Sequence, residues 1–548
     1  MKTLLPGTII ALLCAVVLLL ASPDEVEHLL GKLQPPARFE GFGPAEALIT
    51  GHLHESSPHG NVRVVEQKTN SAKHDGLEWQ KVSLEFTAPK WGPFINIVFV
   101  GNASTAYMDD FLLMPVDRAS EMKEHMRREV RRSEPDYIAY VPGSYDGSTN
   151  DSHNEHFLVF EGPDDSLMAV WTQSPGLPEA QRNRIMFSRS DDNGVTWLRP
   201  KRLVGPTGAD DSTNMASWAF PMVSQSGRIY VVYNQNQGNS GWIKMHTGTM
   251  DAIYSDDNGQ TWSKPQTVPM PHSPYDDPEG KIPPEWIVWQ IPMRDRKGGY
   301  LVGYTRWVNE SVARYNKREL PGDWTWIESV CEFMRFENVD ENPEPRDLRV
   351  RYSAWGDEAL RVPHWKDPLL SIAQEPSLVR LPDDRLFCVM RTNSGYIWYS
   401  VSGDDGYTWS NPRPLLRKDH GRPILQPVSC CPIYQLADGR YVLLHHNNRG
   451  DINARPENTA RPRRPAYVAL GEFRPGADQP LWFSPSKEFM DTGGYTISGE
   501  KGDSQIGVYS SLATRGGRNV LWHPDRKCFL VGKEITDAFL TDLAVPKK

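Results

Sequence analysis

One eight-residue pattern occurs three times, and it limits the folds open to this chain more than any other feature. It appears as Ser190-Asp191-Asp192-Asn193-Gly194-Val195-Thr196-Trp197, as Ser255-Asp256-Asp257-Asn258-Gly259-Gln260-Thr261-Trp262, and as Ser402-Gly403-Asp404-Asp405-Gly406-Tyr407-Thr408-Trp409. Each copy reads S-x-D-x-G-x-T-W. The chemistry suits a hairpin turn: Asp binds neighbouring amides, Gly supplies positive φ, and Trp is expected to plug the core as the next strand begins. Ser190 and Ser255 lie 65 residues apart, and Ser255 and Ser402 lie 147 apart, about two such steps. A strand-rich repeat of that length implies propeller blades, one of which lacks the motif.

Six strand-rich blocks follow from the pattern: Glu155 to Leu203, Ala216 to Val268, Trp286 to Asn338, Ile372 to Leu416, Gln426 to Phe489, and Ser504 to Val545. The third has no motif, and the fifth has a degenerate turn near Gly476-Ala477-Asp478. Residues 380–387 and 435–442 read as the same hairpin in successive blocks. Tyr137 to Val141 is a spare strand that would close the ring with the last block. The expected fold is all-β, a six-bladed propeller over 135–548 behind a small β-sandwich-like domain at 37–116, with a charged linker helix at 117–134 between them. In the small domain, Asn61–Gln67, Leu77–Phe86 and Phe94–Val100 alternate like strands.

The first residues read as a targeting segment. Lys2 precedes an apolar run from Leu12 to Ala21, short for a membrane span and suited to a signal peptide over 1–22 cleaved near Ala21 or Ser22. A retained anchor is the alternative. Export, with no stable membrane association after cleavage, is the expectation. Five cysteines then remain: Cys331, Cys388, Cys430, Cys431 and Cys528. Their spacing fits no metal site, and Cys430-Cys431 reads as two buried thiols rather than a vicinal disulfide. No cofactor is expected. Asn102, Asn150 and Asn309 open N-x-S sequons. A net charge of −9 argues against a nucleic-acid partner. The 18 tryptophans suit blade packing and also a glycan-binding cleft, since indole faces pack on sugar rings.

The repeated motif resembles the Asp-box of sialidases and related propellers, where the box is a structural staple rather than part of the active site. Three further stretches carry a sialidase resemblance. Gln374-Glu375-Pro376-Ser377-Leu378-Val379 is followed by Met390-Arg391-Thr392-Asn393-Ser394-Gly395 and then the third box. Val508-Tyr509-Ser510-Ser511-Leu512 matches a Tyr-Ser-x-Leu context in the last block. Arg461, Arg463 and Arg464 precede Tyr467-Val468-Ala469-Leu470.

The resemblance implies an exo-acting glycoside hydrolase that cleaves a terminal, anionic sugar from a glycan or polysaccharide. Tyr509 would be the nucleophile and Glu375 the base that polarises it, while Arg391 and Arg464 would grip a carboxylate. A neutral tyrosine avoids repulsion by an anionic substrate. Trp218, Trp289, Arg306 and the run from His445 to Asn448 would line the cleft, with Trp218 and Arg306 contacting substrate.

The resemblance breaks at the first block. Where the family places the first of three arginines, the chain has Asn154-Glu155-His156-Phe157, leaving His156 to supply a charge or hydrogen bond. The loop that carries the family's acid/base Asp has Glu179 as its only carboxylate. The substrate is then a sialic acid, another anionic sugar or a neutral one. A non-catalytic glycan- or protein-binding propeller and a polysaccharide lyase stand as alternatives. Beside the small domain's strands, residues 79–89 and 106–113 resemble carbohydrate-binding modules, with a purely packing role the alternative.

Overall fold

In a computed structural model of the protein, the described residues are strands within 1–117, the helix Arg118–Glu129, and 130–145, 149–174, 182–208, 211–314, 327–364, 367–450, 463–497 and 504–547. The chain divides into two compact units, Met1–Asp117 and Arg118–Lys548.

In the first unit, Phe94–Val100 pairs antiparallel with Leu12–Val17 on one side and Leu48–His52 on the other. Gln67–His74 and Leu77–Leu84 form a separate hairpin. The strand Leu12–Val17 falls inside the apolar run read above as a leader.

The second unit is a six-bladed propeller. From first strand to fourth, blade 1 comprises His153–Glu161, Leu167–Ser174, Arg184–Ser190 and Lys201–Val204. Blade 2 has Ala216–Val223, Ile229–Gln235, Thr249–Ser255 and Gln266–Thr267. Blade 3 has Trp286–Ile287, Tyr300–Trp307, Ser329–Phe336 and Val350–Ser353, with Met293–Arg294 also on the second strand. Blade 4 has Gln374–Arg380, Leu386–Arg391, Trp398–Ser402 and Arg413–Pro414. Blade 5 has Ile433–Gln435, Tyr441–His445, Ala466–Phe473 and Leu481–Phe483, with Lys487–Met490 also on the third strand. Blade 6 has Ser511–Arg515, Arg518–Asp525 and Phe529–Glu534, and its fourth strand is Tyr137–Tyr140. The expected ring closure is therefore present, and it completes the fourth strand of blade 6.

Second strands such as Leu167–Ser174 and Tyr300–Trp307 are buried along their whole length because blades pack on both faces. The helix Arg118–Glu129 is shorter than the expected 117–134. Glu134 has φ +48 and precedes Pro135, a residue pair that disfavours helix. It is also more than a linker, since Met126 and Val130 pack against Cys528, Phe529 and Val531 of blade 6.

Each Asp-box joins the third and fourth strands of its blade by the same bonds. In the second, the Ser255 hydroxyl donates to Asp257 at 2.8 Å and accepts from the Gly259 amide at 2.9 Å. Asp257 accepts from the Thr261 amide at 2.8 Å and its hydroxyl at 2.5 Å. The Trp residues are half-buried rather than full core plugs, because they pack across blade borders. Trp262 packs on Phe187 of blade 1, Trp409 stacks on Phe333 of blade 3 with centroids 4.2 Å apart, and Trp197 meets Trp522 of blade 6. Blade 3 has no box because its connection is filled by short helical turns at Val339–Glu341 and Pro345–Asp347. Asn338 holds that connection, accepting from the Arg349 amide at 2.8 Å and donating to the Asp347 carbonyl at 3.1 Å.

Among the described residues no helix is long and apolar enough to cross a membrane.

Candidate active site

The first strands of four blades share one irregularity. Pairing slips between Glu155 and Leu158, between Ser217 and Phe220, and between Gln374 and Ser377. Inside each slip one residue takes a left-handed backbone: His156 at φ +54, Trp218 at +58 and Glu375 at +50. Tyr509, at φ +58, stands two residues before the first strand of blade 6, as the others stand two before their strands resume. Such bulges re-aim a side chain, and a non-glycine left-handed residue costs roughly 1–3 kcal/mol, so surrounding structure must hold it. The preceding blade does so in two cases: Thr172 Oγ1 accepts from the Trp218 amide at 2.9 Å, and Thr305 Oγ1 accepts from the Glu375 amide at 2.7 Å. For Tyr509 the acceptor is Cys430 Sγ at 3.1 Å.

The four re-aimed side chains converge. The Tyr509 hydroxyl donates to Glu375 Oε1 at 3.1 Å, and the same oxygen lies 2.5 Å from Arg391 Nη1. Arg391 is oriented by Gln374, to which its Nε donates at 3.0 Å. The His156 ring lies with its centroid 3.3 Å from Trp218 and 4.6 Å from Tyr509. Tyr509 is only 5% exposed and Glu375 0%. Trp218, Trp242, Trp289 and Trp307 belong with Tyr509 to one buried cluster, and Trp289 anchors itself by donating to the Pro376 carbonyl at 3.2 Å.

Burial dominates the electrostatics. It pushes the Glu375 carboxyl up, opposed mainly by Arg391. Burial and then the Glu375 charge push the Tyr509 phenol well above its ordinary value. Burial holds His156 well below its ordinary value and lowers the nearby His246, stacked on Trp307, to about 3, so both rings are neutral near pH 7. A buried carboxylate that touches the phenol hydroxyl is placed to take its proton.

Glu375, Arg391, Tyr509, His156 and Trp218 thus come together. Arg464 does not join them: it pairs with Asp491 at 2.9 and 2.5 Å. Its neighbour Arg463 is the buried one, donating to the Val428 carbonyl at 2.7 Å and Gln505 at 3.1 Å, and its charge bears on both Glu375 and Tyr509. Neighbouring side chains of an extended segment point opposite ways, so a one-residue error selects the wrong arginine. Arg306 is not a substrate contact either. It is fully buried between Asp276 at 2.6 Å and Glu332 at 2.8 Å, where it neutralises two core carboxylates. Glu179 lies outside the described residues.

Lys527, which sequence reasoning missed, reaches the site from the turn between the second and third strands of blade 6. Its Nζ lies 2.7 Å from Glu155 Oε1 and 5.8 Å from the centre of the Tyr509 ring. The only sequence signal was a pair of basic residues, Arg526-Lys527, between two strand-like runs.

All five cysteines among the described residues are buried and free, including Cys430 and Cys431. No group of three or more His, Cys, Asp or Glu among the described residues is placed to hold a metal ion.

Residues 207–471, from blade 2 through most of blade 5, match the BNR repeat-like domain family. The six-bladed propeller thus carries BNR-like repeats across blades 2 to 5. Solved structures that share this propeller fold include the following two. The NanB sialidase of Streptococcus pneumoniae is 12% identical, with 87% of this chain and 82% of that one covered and a TM-score of 0.51. The leech intramolecular trans-sialidase, complexed with 2,7-anhydro-Neu5Ac, is also 12% identical, with 97% and 99% covered and a TM-score of 0.51. No curated protein sequence matches the BNR propeller.

Proposed function

We propose that this propeller is an exported exo-glycosidase that removes a terminal, carboxylate-bearing sugar from glycans. The observation that carries the reading is the Tyr509 hydroxyl bonded at 3.1 Å to a buried carboxylate that Arg391 also holds. In this mechanism Glu375 accepts the phenol proton as Tyr509 Oη bonds to the anomeric carbon. The bond from that carbon to the leaving oxygen breaks, and an acid protonates the leaving oxygen. Glu179 is the candidate for that acid. Water then attacks the same carbon and gives one proton to the conjugate base of that acid, the bond to Tyr509 breaks, and the departing phenolate recovers its proton from Glu375. Arg391 and Arg463 supply positive charge for the substrate carboxylate.

The test is turnover of α-sialosides and of glycosides of other sugar acids by wild type, Tyr509→Phe and Glu375→Gln. Loss of more than about a hundredfold in kcat in both variants is expected, as for removal of a nucleophile and its base. Unchanged turnover in either variant would sink the mechanism.

A glycan-binding propeller without turnover is favoured by one observation: blade 1 presents a neutral, buried His156 where the sialidase resemblance places an arginine. Binding on a glycan array with no product released supports that reading over hydrolysis. For export, N-terminal sequencing of protein from the medium is expected to begin after Ala21 or Ser22; a chain that keeps Leu12–Val17 contradicts it.

A further inference from the structure

The turn that carries Lys527 is built from the wrong residues for an ordinary hairpin. Arg526 and Lys527 are its two central positions, with φ +52 and +49, and the Cys528 amide closes it on the Asp525 carbonyl at 3.0 Å. Two-residue turns with both central residues left-handed strongly select Asn-Gly. Two long basic residues there are strained and persist only where the surroundings hold them. Arg526 has a structural return, because its guanidinium is fully buried against Asp525 and Glu129.

Lys527 has a different one. Its carbonyl accepts from the Asn154 amide at 2.7 Å, pinning the turn to the strand that carries His156. Its ammonium extends to Glu155 Oε1 at 2.7 Å, beside the Tyr509 ring. Glu155 is shared with His153 Nε2 at 3.2 Å, so the carboxylate has a second partner when the ammonium turns elsewhere. Burial raises the Glu155 carboxyl, but the charges of Lys527 and His153 outweigh it and keep the group ionised. The first strand of blade 1, His153–Glu161, contains no Arg or Lys, and Lys527 of blade 6 brings a cation beside it.

We propose that Lys527 is a specificity-determining residue that recognises the carboxylate of the substrate, with Glu155 as the counter-ion that holds the ammonium in place until substrate arrives. This rests on the proposed function, and it narrows the substrate to a sugar whose acid group approaches from the blade 1 and blade 6 side of Tyr509. Arg391 and Arg463 would meet that group from blades 4 and 5. A charge-assisted contact of this kind contributes enough to discriminate an acid from its neutral ester by about tenfold or more.

The experiment measures dissociation constants by calorimetry in a Tyr509→Phe background. The probes are the α-methyl glycoside of sialic acid, a methyl glucuronide, and the methyl ester of each. The Lys527→Met variant is expected to lose about tenfold in affinity for the acid and to keep ester affinity, which also reports an intact fold. Lys527→Arg is expected to restore the preference. Glu155→Gln frees the ammonium and is expected to tighten acid binding, so it gives an independent reading if Lys527→Met folds poorly. An unchanged acid-to-ester ratio in Lys527→Met, or no response to Glu155→Gln, overturns the role of Lys527 while leaving the glycosidase reading intact. A parent protein that binds neither acid overturns the proposed function and this inference together.

Discussion

The backbone amide of Glu375 in blade 4 donates to the hydroxyl of Thr305 in blade 3 at 2.7 Å. The side chain at the centre of the site is thus oriented from a neighbouring blade. Thr305→Val keeps the shape and removes the acceptor, leaving a buried amide unpaired in a left-handed residue. A loss of about 1–3 kcal/mol in urea unfolding is expected, with turnover falling further than the folded fraction explains. A variant that loses stability but keeps full activity per folded molecule would show that Glu375 needs no such support.

The acid limb of the pH–rate profile should report Glu375. Its folded value is raised by burial, against the opposing charge of Arg391, so kcat/KM is expected to rise with pH through a point above the ordinary 4.5 of glutamate. Glu375→Gln should abolish the limb together with activity, whereas a limb at or below 4.5 contradicts the buried base.

Stability should carry a separate pH signature from Glu285. Burial raises this carboxyl to about 8. Between about 4.5 and 8 the native protein therefore binds a proton that the unfolded chain has released. The stabilisation is fully present below 4.5 and is lost as pH rises through 8. The wild-type midpoint minus that of Glu285→Gln should fall as pH rises across that window, whatever slope the other groups give both proteins. Parallel curves would mean the group is ionised in the fold.

Buried histidines, His156 among them, act in the opposite sense. Burial lowers His246 and His446 to about 3 and His445 and His523 to about 4. Their stabilisation is present above about 6.5 and is lost as pH falls through 4 to 3, because the unfolded chain gains protons that the fold refuses. Midpoints measured from pH 7.5 to 4.5 should drop, and His246→Gln should shallow the drop.

The Asp-boxes should separate stability from activity. A Cβ on Gly259 would lie 2.5 Å from Phe187 Cζ, and the residue has φ +78. Gly259→Ala is expected to cost about 2 kcal/mol or more. The box lies beyond Ser255, which pairs with Ile229, and Ile229 pairs with Val223 at the far end of the strand from Trp218. Activity per folded molecule should therefore be unchanged; altered acid-to-ester selectivity would contradict this separation.

The blades were legible because their signals are local: each Asp-box is a self-contained turn, and the spare strand at Tyr137 had no partner nearby in sequence. Glu375, Arg391 and Tyr509 were legible only through their short motifs. Arg306 misled because its carboxylate partners, Asp276 and Glu332, are 30 and 26 residues away. Nothing local says that a strand arginine is already neutralised. Lys527 was invisible because its importance lies in an ion pair spanning 372 residues. The shared left-handed backbone of His156, Trp218, Glu375 and Tyr509 is something that four unlike side chains do not announce.

The pairing of Tyr137–Tyr140 with Phe529–Glu534 also sets an order of events during synthesis. The strand that completes the last blade is made before any blade, and its partner emerges only after the first five blades have been made. Until residue 534 has left the ribosome, Tyr137–Tyr140 waits without its partner beside five completed blades, a lone strand open to pairing with a neighbouring chain.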